Sequence, residues 1–101
     1  MNWNNPPIDW VDEYLLKNIV ACLELQLHEH AILLGDAYIK FIKIIKDNHI
    51  WLAHNLANSY LAINRKEEAL KYHQMCIEFG EIVSLEFQEI IDSQNFIKAY
   101  N

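Results

Sequence analysis

LANSYLAINRKEEALKYHQMC, residues 56–76, sets small and aromatic residues at helical intervals on both sides of a short polar turn. Leu56, Ala57 and Tyr60 precede the turn, and Ala69 and Cys76 follow it, all at spacings that place them on one face of a helix. Two antiparallel helices need small side chains where their axes approach to about 8–10 Å. The stretch therefore predicts a helical hairpin with Ala57 and Ala69 at the contact.

This pattern resembles the tetratricopeptide repeat (TPR), in which a Leu and a small residue precede an aromatic residue and further small residues mark the second helix. The resemblance covers residues 50–83, about one repeat. Asn64 stands where the family has a turn glycine, and Asn tolerates the left-handed backbone. Upstream, Ala31 aligns with Ala69 in a degenerate copy. The resemblance implies antiparallel hairpins stacked as a short right-handed array, with a C-terminal capping helix.

Composition favours an all-α domain of about five helices. The chain has 101 residues, of which 52% are hydrophobic, enough for one compact core. Its two prolines lie together near the N-terminus, and no segment alternates with period two for long. We expect an N-terminal arm (1–8) followed by a single domain (9–101).

The first two predicted helices differ in amphipathicity. Asp9 is a suitable N-cap for a helix that extends to about His28. AILLGDAYIKFIKIIK (31–46) is apolar nearly all round. Its acids and lysines form one polar line that begins at Asp36 and includes Lys43. Because such a helix is buried on most sides, we expect it to be the centre of the domain.

The remaining three helices are bounded by capping signals. Asn48 is the predicted cap of a third helix from about Ile50 to Ala62. Asn64 and Glu67 form a predicted capping box at the start of the fourth helix, which Gly80 ends. Ser84 begins the predicted fifth helix.

Charge and hydropathy exclude several classes of function. The net charge is −6, with acid-rich ends and a mildly basic middle. Nucleic-acid binding is disfavoured, because neutralising phosphates needs a dense Lys and Arg surface. No apolar run approaches the ~20 residues that cross a bilayer, and no secretory signal pattern is recognisable. Cys22 and Cys76 fall inside predicted helices and are interpreted as core residues of a cytoplasmic protein, with a disulfide as the alternative.

No residue pattern predicts an active site, a cofactor or a metal site. The histidines of HEH (28–30), and the pair His49 and His54, lack the i, i+4 spacing of a zinc-binding helix. The chain contains no glycine-flanked nucleophile turn and no glycine-rich phosphate loop. We therefore predict a non-enzymatic protein.

The TPR resemblance implies that a peptide or protein surface binds in the groove lined by the first helix of each hairpin. On this hairpin the groove residues would be Trp51, His54, Asn55, Asn58 and Leu61. Asn55 and Asn58 match asparagines with which some family members grip a C-terminal carboxylate, but Trp51 and His54 occupy the places of the basic residues that complete that grip. Two alternatives stay open: Trp51 packs against the first hairpin, and Asn58 is simply exposed.

A different class of function also fits the sequence. Acid-rich first and last segments in a chain without chemistry of its own are typical of a small inhibitor, such as an immunity protein or antitoxin that neutralises a basic toxin or enzyme. A regulatory domain with a small-molecule pocket is a third hypothesis. High apolar content, with Trp3, Trp10 and Trp51 near predicted helix ends, further predicts a homodimer.

Overall fold

The computed structural model describes the backbone of residues 8–100 and the side chains of residues 12–100. This part of the chain forms five α-helices and no strand, which confirms the predicted all-α fold. The helices are α1 (Ile8–Glu24), α2 (His28–Phe41), α3 (Asp47–Ala62), α4 (Lys66–Val83) and α5 (Gln88–Tyr100). Residues 1–7 of the predicted arm, Trp3 among them, and the side chain of Trp10 lie outside the described residues.

The first hairpin turns earlier than predicted. The backbone of Asp9 lies inside α1 rather than before it, and α1 ends at Glu24 instead of near His28. Gln26 adopts a left-handed conformation with φ of 58°, and the Leu27 N–H donates to the Cys22 carbonyl at 2.9 Å. This bond closes the end of α1, so His28 can begin α2.

The predicted central helix was wrong in extent and in position. Helix α2 ends at Phe41, because Ile42 is extended, and residues 42–46 form a connection. The polar line therefore does not exist, since Lys43 lies outside α2. Asn48 is not a cap either: α3 begins at Asp47, and the Lys46 N–H donates to Nδ1 of His49 at 2.9 Å.

Helix α3 is the centre of the domain. It buries eight residues, whereas α2 buries three, and it packs against α2, α4 and α5. One core cluster joins it to α1 and α2, with Ile19, Tyr38, Leu52 and Leu56 buried. A second joins it to α4 and α5, with Ile50, Ala53, Cys76, Phe79 and Ile90 buried. Both halves of the core thus depend on one helix.

The ends of α4 differ from the prediction at both sides. Asn64 forms the left-handed turn with φ of 65°, so it is not part of a capping box, and Arg65 directly precedes the helix. Gly80 lies inside α4 instead of ending it. A Cβ there would overlap Cδ1 of Ile90 of α5, so the glycine allows the two helices to approach. Helix α4 ends at Val83 with left-handed Ser84 as its C-cap, and α5 begins only at Gln88.

Candidate functional site

The predicted groove residues do not all share one surface of α3. With 3.6 residues per turn, Trp51, Asn55, Asn58 and Ala62 lie within about 60° of one another around the helix axis. None of these four is buried, and Asn58 and Ala62 are exposed. We call this stripe the open face of α3. His54 and Leu61 lie along one edge of it.

The side chains of Trp51 and Asn55 each make contacts within the domain. Trp51 is half-buried and packs against the cluster that contains Ile19 of α1 and Tyr38 of α2. The Nδ2 of Asn55 donates to the Trp51 carbonyl at 2.9 Å, so one of its two donors is engaged within the helix. Asn58 is the polar residue of the open face that is fully turned to solvent.

His54 lies at the edge of the open face, on the side of α3 that faces α4 and α5. Its ring meets the ring of His73 edge-on, with centroids 5.6 Å apart. Burial lowers the pKa of His54, while Asp92 and Glu89 of α5 act in the opposite direction. The imidazole is therefore neutral near pH 7 and lies on the α5 side of the open face.

The residues predicted to pack the α3–α4 hairpin are all buried. Leu56, Ala57, Ala69 and Cys76 have no exposed surface, and Tyr60 is 5% exposed. The Tyr60 hydroxyl reaches beyond the hairpin and donates to Oδ2 of Asp36 on α2 at 2.7 Å.

Asp36 is a bridge between helices and not part of a solvated polar line. Its Oδ1 accepts a hydrogen bond from the Tyr72 hydroxyl of α4, so both carboxylate oxygens are engaged. Burial, and then the bond to Asp36, raises the pKa of Tyr72 and raises that of Tyr60 to about 12. Both hydroxyls stay protonated at neutral pH and donate to the carboxylate. This cluster fastens α2 to α3 and α4.

A second polar chain joins α1, α2 and the start of α3. Because Nδ1 of His49 accepts the Lys46 N–H, the ring proton is on Nε2, which donates to the Tyr38 hydroxyl at 2.8 Å. Tyr38 in turn donates to Oδ1 of Asp12 at 2.7 Å. Burial is the main reason that the pKa of His49 is lowered and that of Tyr38 raised. Because both pKa values move away from neutrality, neither His49 nor Tyr38 gains or loses a proton near pH 7.

A cavity of about 200 Å³ opens beside this chain. It is lined by Asp12, Phe41, Ile42, Lys43, Ile44, Lys46 and His49. Both nitrogens of the His49 ring are already hydrogen-bonded, and Oδ1 of Asp12 accepts the Tyr38 hydroxyl.

The third polar cluster lies between α4 and α5. Nδ1 of His73 is 2.8 Å from Oγ of Ser93, and the ring of His73 stacks on Phe96 with centroids 4.3 Å apart. Burial lowers the pKa of His73 to about 4 and raises that of the Cys76 thiol. A protonated, buried thiol is a poor nucleophile, so these residues support a packing role.

Sequence reasoning missed these three clusters because their members are far apart in the chain. Tyr38 and Asp12 are 26 residues apart, and Tyr72 and Asp36 are 36. The available signal was that Tyr38, Tyr60 and Tyr72 fall on predicted apolar faces, since buried tyrosine hydroxyls need partners.

Among residues 8–100, no group of three or more His, Cys, Asp or Glu is placed to hold a metal ion. None of the five helices combines the length and apolar character needed to cross a bilayer. The chain matches no protein-family model, no curated protein and no solved structure.

Proposed function

We propose that this protein is a non-enzymatic interaction module with TPR-like hairpins, and that it binds a peptide or protein surface on the open face of α3. One observation carries the proposal: the most buried helix of the domain leaves a single stripe uncovered, with Trp51 and Asn58 on it. On one side Trp51 packs against the cluster that contains Ile19 of α1, and on the other His54 lies beside α5. In the proposed binding mode this stripe is the floor of a groove between α1 and α5, as the TPR resemblance implies.

The chemistry of this groove selects the partner. Trp51 offers a flat apolar surface, Asn58 offers a free amide, and Leu61 is 38% exposed at the edge. The acids near His54 come from α5, and α3 itself carries no lysine or arginine. A segment with an apolar side chain and hydrogen-bonding or basic neighbours fits this groove better than a C-terminal carboxylate.

Site-specific photo-crosslinking tests the proposal. A benzophenone amino acid replaces Asn58 in the full chain, and irradiation takes place in the native cell extract. We expect one protein to be crosslinked through Asn58 and to be lost when Trp51→Ala is added, because the aromatic contact is removed.

The matched control places the same photo-reactive group at Lys40, which is exposed on α2. Lys40 should not crosslink the protein found at Asn58. Equal crosslinking from both positions would mean that the open face has no special role.

The acidic-inhibitor hypothesis also has support from the described residues. Five acids, against one lysine, lie between residues 78 and 98, and four of the five are exposed: Glu78, Glu81, Glu86 and Asp92. An inhibitor that docks through them should associate more slowly with its basic target as salt rises. Binding through the open face should depend on Trp51 and Asn58 instead.

The predicted homodimer and the cytoplasmic location belong to the same proposal. Several large apolar side chains are exposed, Leu33 and Ile44 at 71% and 72%, and both cysteines are free, as in a reducing compartment. We expect light scattering to detect a dimer at high micromolar concentration. A strict monomer at that concentration would contradict the predicted homodimer.

A further inference from the structure

The outer flank of the α4–α5 pair is a groove that is separate from the open face of α3. It has a volume of about 290 Å³ and is lined by Ile77, Gly80, Glu81, Ser84, Leu85, Glu86, Ile90 and Gln94. Its floor is apolar: Gly80 and Ile90 are buried in it, and Leu85 is 46% exposed beside them. We call it the α4–α5 groove.

Gly80 shapes this groove. Without a side chain it lets Ile90 of α5 lie directly on the α4 backbone, and residues 84–87 connect the two helices. Since 3.6 residues make a turn, Ile91 lies roughly 60° from Gln94 around α5, on the same flank of the helix. Ile91 is 38% exposed, so apolar surface continues out of the groove.

The rim of the groove is acidic. Glu81 and Glu86 line it, and Glu78, about 60° from Glu81 around α4, is exposed on the same flank. The carbonyl end of α4 also terminates here at Val83, and the end of a helix dipole adds negative potential. An apolar floor with a negative rim is complementary to a segment that is apolar on one side and basic on the other.

Helical geometry decides the conformation of that segment. An extended peptide needs backbone partners, which the helical backbones of α4 and α5 do not offer because their N–H and C=O groups bond within each helix. A helix satisfies its own backbone and presents apolar side chains at i, i+3 and i+4. Within the described residues, the groove is lined by α4, α5 and the connection between them, and α5 packs mainly against α4 and α3.

We propose that the α4–α5 groove is a docking site for a basic amphipathic helix of a protein partner. The docked helix would pack beside α4 and α5 as a third helix. Its leucine-type side chains would cover Leu85 and the floor at Ile90, and its lysines or arginines would face Glu81 and Glu86. The inference goes beyond binding at the open face of α3 and does not depend on it.

A designed probe tests the proposal on the full chain. The probe is a labelled helical peptide of about 16 residues, roughly 24 Å long, with leucines on one face and lysines on the other. Its controls are a scrambled peptide of the same composition and a peptide with Glu in place of Lys. We expect fluorescence anisotropy to show micromolar binding of the probe, at least about tenfold tighter than either control.

Charge-reversal variants locate the binding. Glu81→Lys with Glu86→Lys should weaken the probe at least about tenfold, whereas Glu13→Lys with Glu24→Lys, an equal charge change at exposed positions of α1, should change it less than about threefold. Leu85→Ala should also weaken it, and Asn58→Arg should not. Absence of binding, equal binding of the scrambled peptide, or equal effects of the two charge reversals would overturn the proposal. Because Asn58→Arg tests only the open face of α3, failure of either proposal is recognisable on its own.

Discussion

The two contacts that α3 makes with its sequence neighbours are built from different chemistry. Against α4, the contact consists of small apolar residues, with Ala57 and Ala69 completely buried beside a three-residue turn. Against α2, Leu52 and Leu56 form a buried cluster with Tyr38, and polar bridges add to this apolar contact. The Tyr60 hydroxyl donates to Asp36, and Nε2 of His49 donates to the Tyr38 hydroxyl. The junction between the hairpins therefore depends, in addition to apolar packing, on hydrogen bonds whose loss leaves polar groups without partners.

The largest effect should come from the junction. Asp36→Ala removes the acceptor of two tyrosine hydroxyls, each a bond to a charged group, so we expect the free energy of unfolding to fall by about 2–4 kcal/mol. Urea denaturation of the variant measures this. The Tyr60→Phe and Tyr72→Phe variants, each alone and combined with Asp36→Ala, complete two double-mutant cycles. A loss below about 1 kcal/mol would mean that the bridge contributes little to joining the hairpins.

A smaller loss should follow from overpacking the hairpin. Ala57→Leu inserts a large side chain where α3 is completely buried, which we expect to cost about 1–3 kcal/mol. Ala62→Leu is the matched control, because Ala62 is exposed on the same helix and its substitution should cost almost nothing. If the two variants had equal stability, the helices would not cross at Ala57.

Acid should weaken the histidine-containing contacts. The pKa of His73 is lowered from 6.5 to about 4, and those of His49 and His54 are also lowered. The unfolded chain then binds more protons than the folded chain in this window, so stability falls as pH decreases from about 6.5 towards 4. We expect a loss of about 1–2 kcal/mol between pH 7 and 5 in thermal or urea unfolding.

Two variants show whether His73 causes the dependence of the free energy of unfolding on pH. His73→Gln should reduce it, because the buried group no longer titrates. Gln74→Ala should leave it unchanged, since Gln74 is an exposed, non-titrating neighbour on the same helix. A slope that both substitutions lower equally would contradict the assignment.

The smallest effect should occur in the connection between α2 and α3. Lys43 is exposed there and makes no ion pair within the described residues. Lys43→Ala should change the free energy of unfolding by less than about 0.5 kcal/mol in the same denaturation assay. A larger change would show that this connection takes part in the junction.

The same comparison explains what could be predicted from sequence. The five helices and the α3–α4 hairpin were predictable because Ala57, Ala69 and the left-handed turn at Asn64 lie within one short local pattern. The end of α2 was not, because IKIIK continues an apolar pattern although Ile42 is extended and Ile44 is 72% exposed. Gly80 likewise looks like the end of a helix in the sequence. Its role depends instead on the close approach of Ile90 from α5, which the local pattern around Gly80 does not indicate.

The candidate site was predictable in part. The stripe of Trp51, Asn55 and Asn58 follows from helical periodicity alone. The ring contact of His54 with His73 of α4 could not be predicted, because periodicity within α3 does not give the position of α4.

The most direct test uses the partner protein that is crosslinked at position 58. Calorimetry measures its affinity for the Asn58→Arg and Tyr38→Phe variants, and unfolding curves measure the stability of the same two variants. We predict that Asn58→Arg weakens binding at least about tenfold with stability unchanged within about 0.5 kcal/mol. Tyr38→Phe should lower stability by about 1–3 kcal/mol, because it breaks the chain from His49 to Asp12, and leave the affinity of the folded protein nearly unchanged. Unchanged binding by Asn58→Arg would contradict the central claim that the open face of α3 is the binding surface.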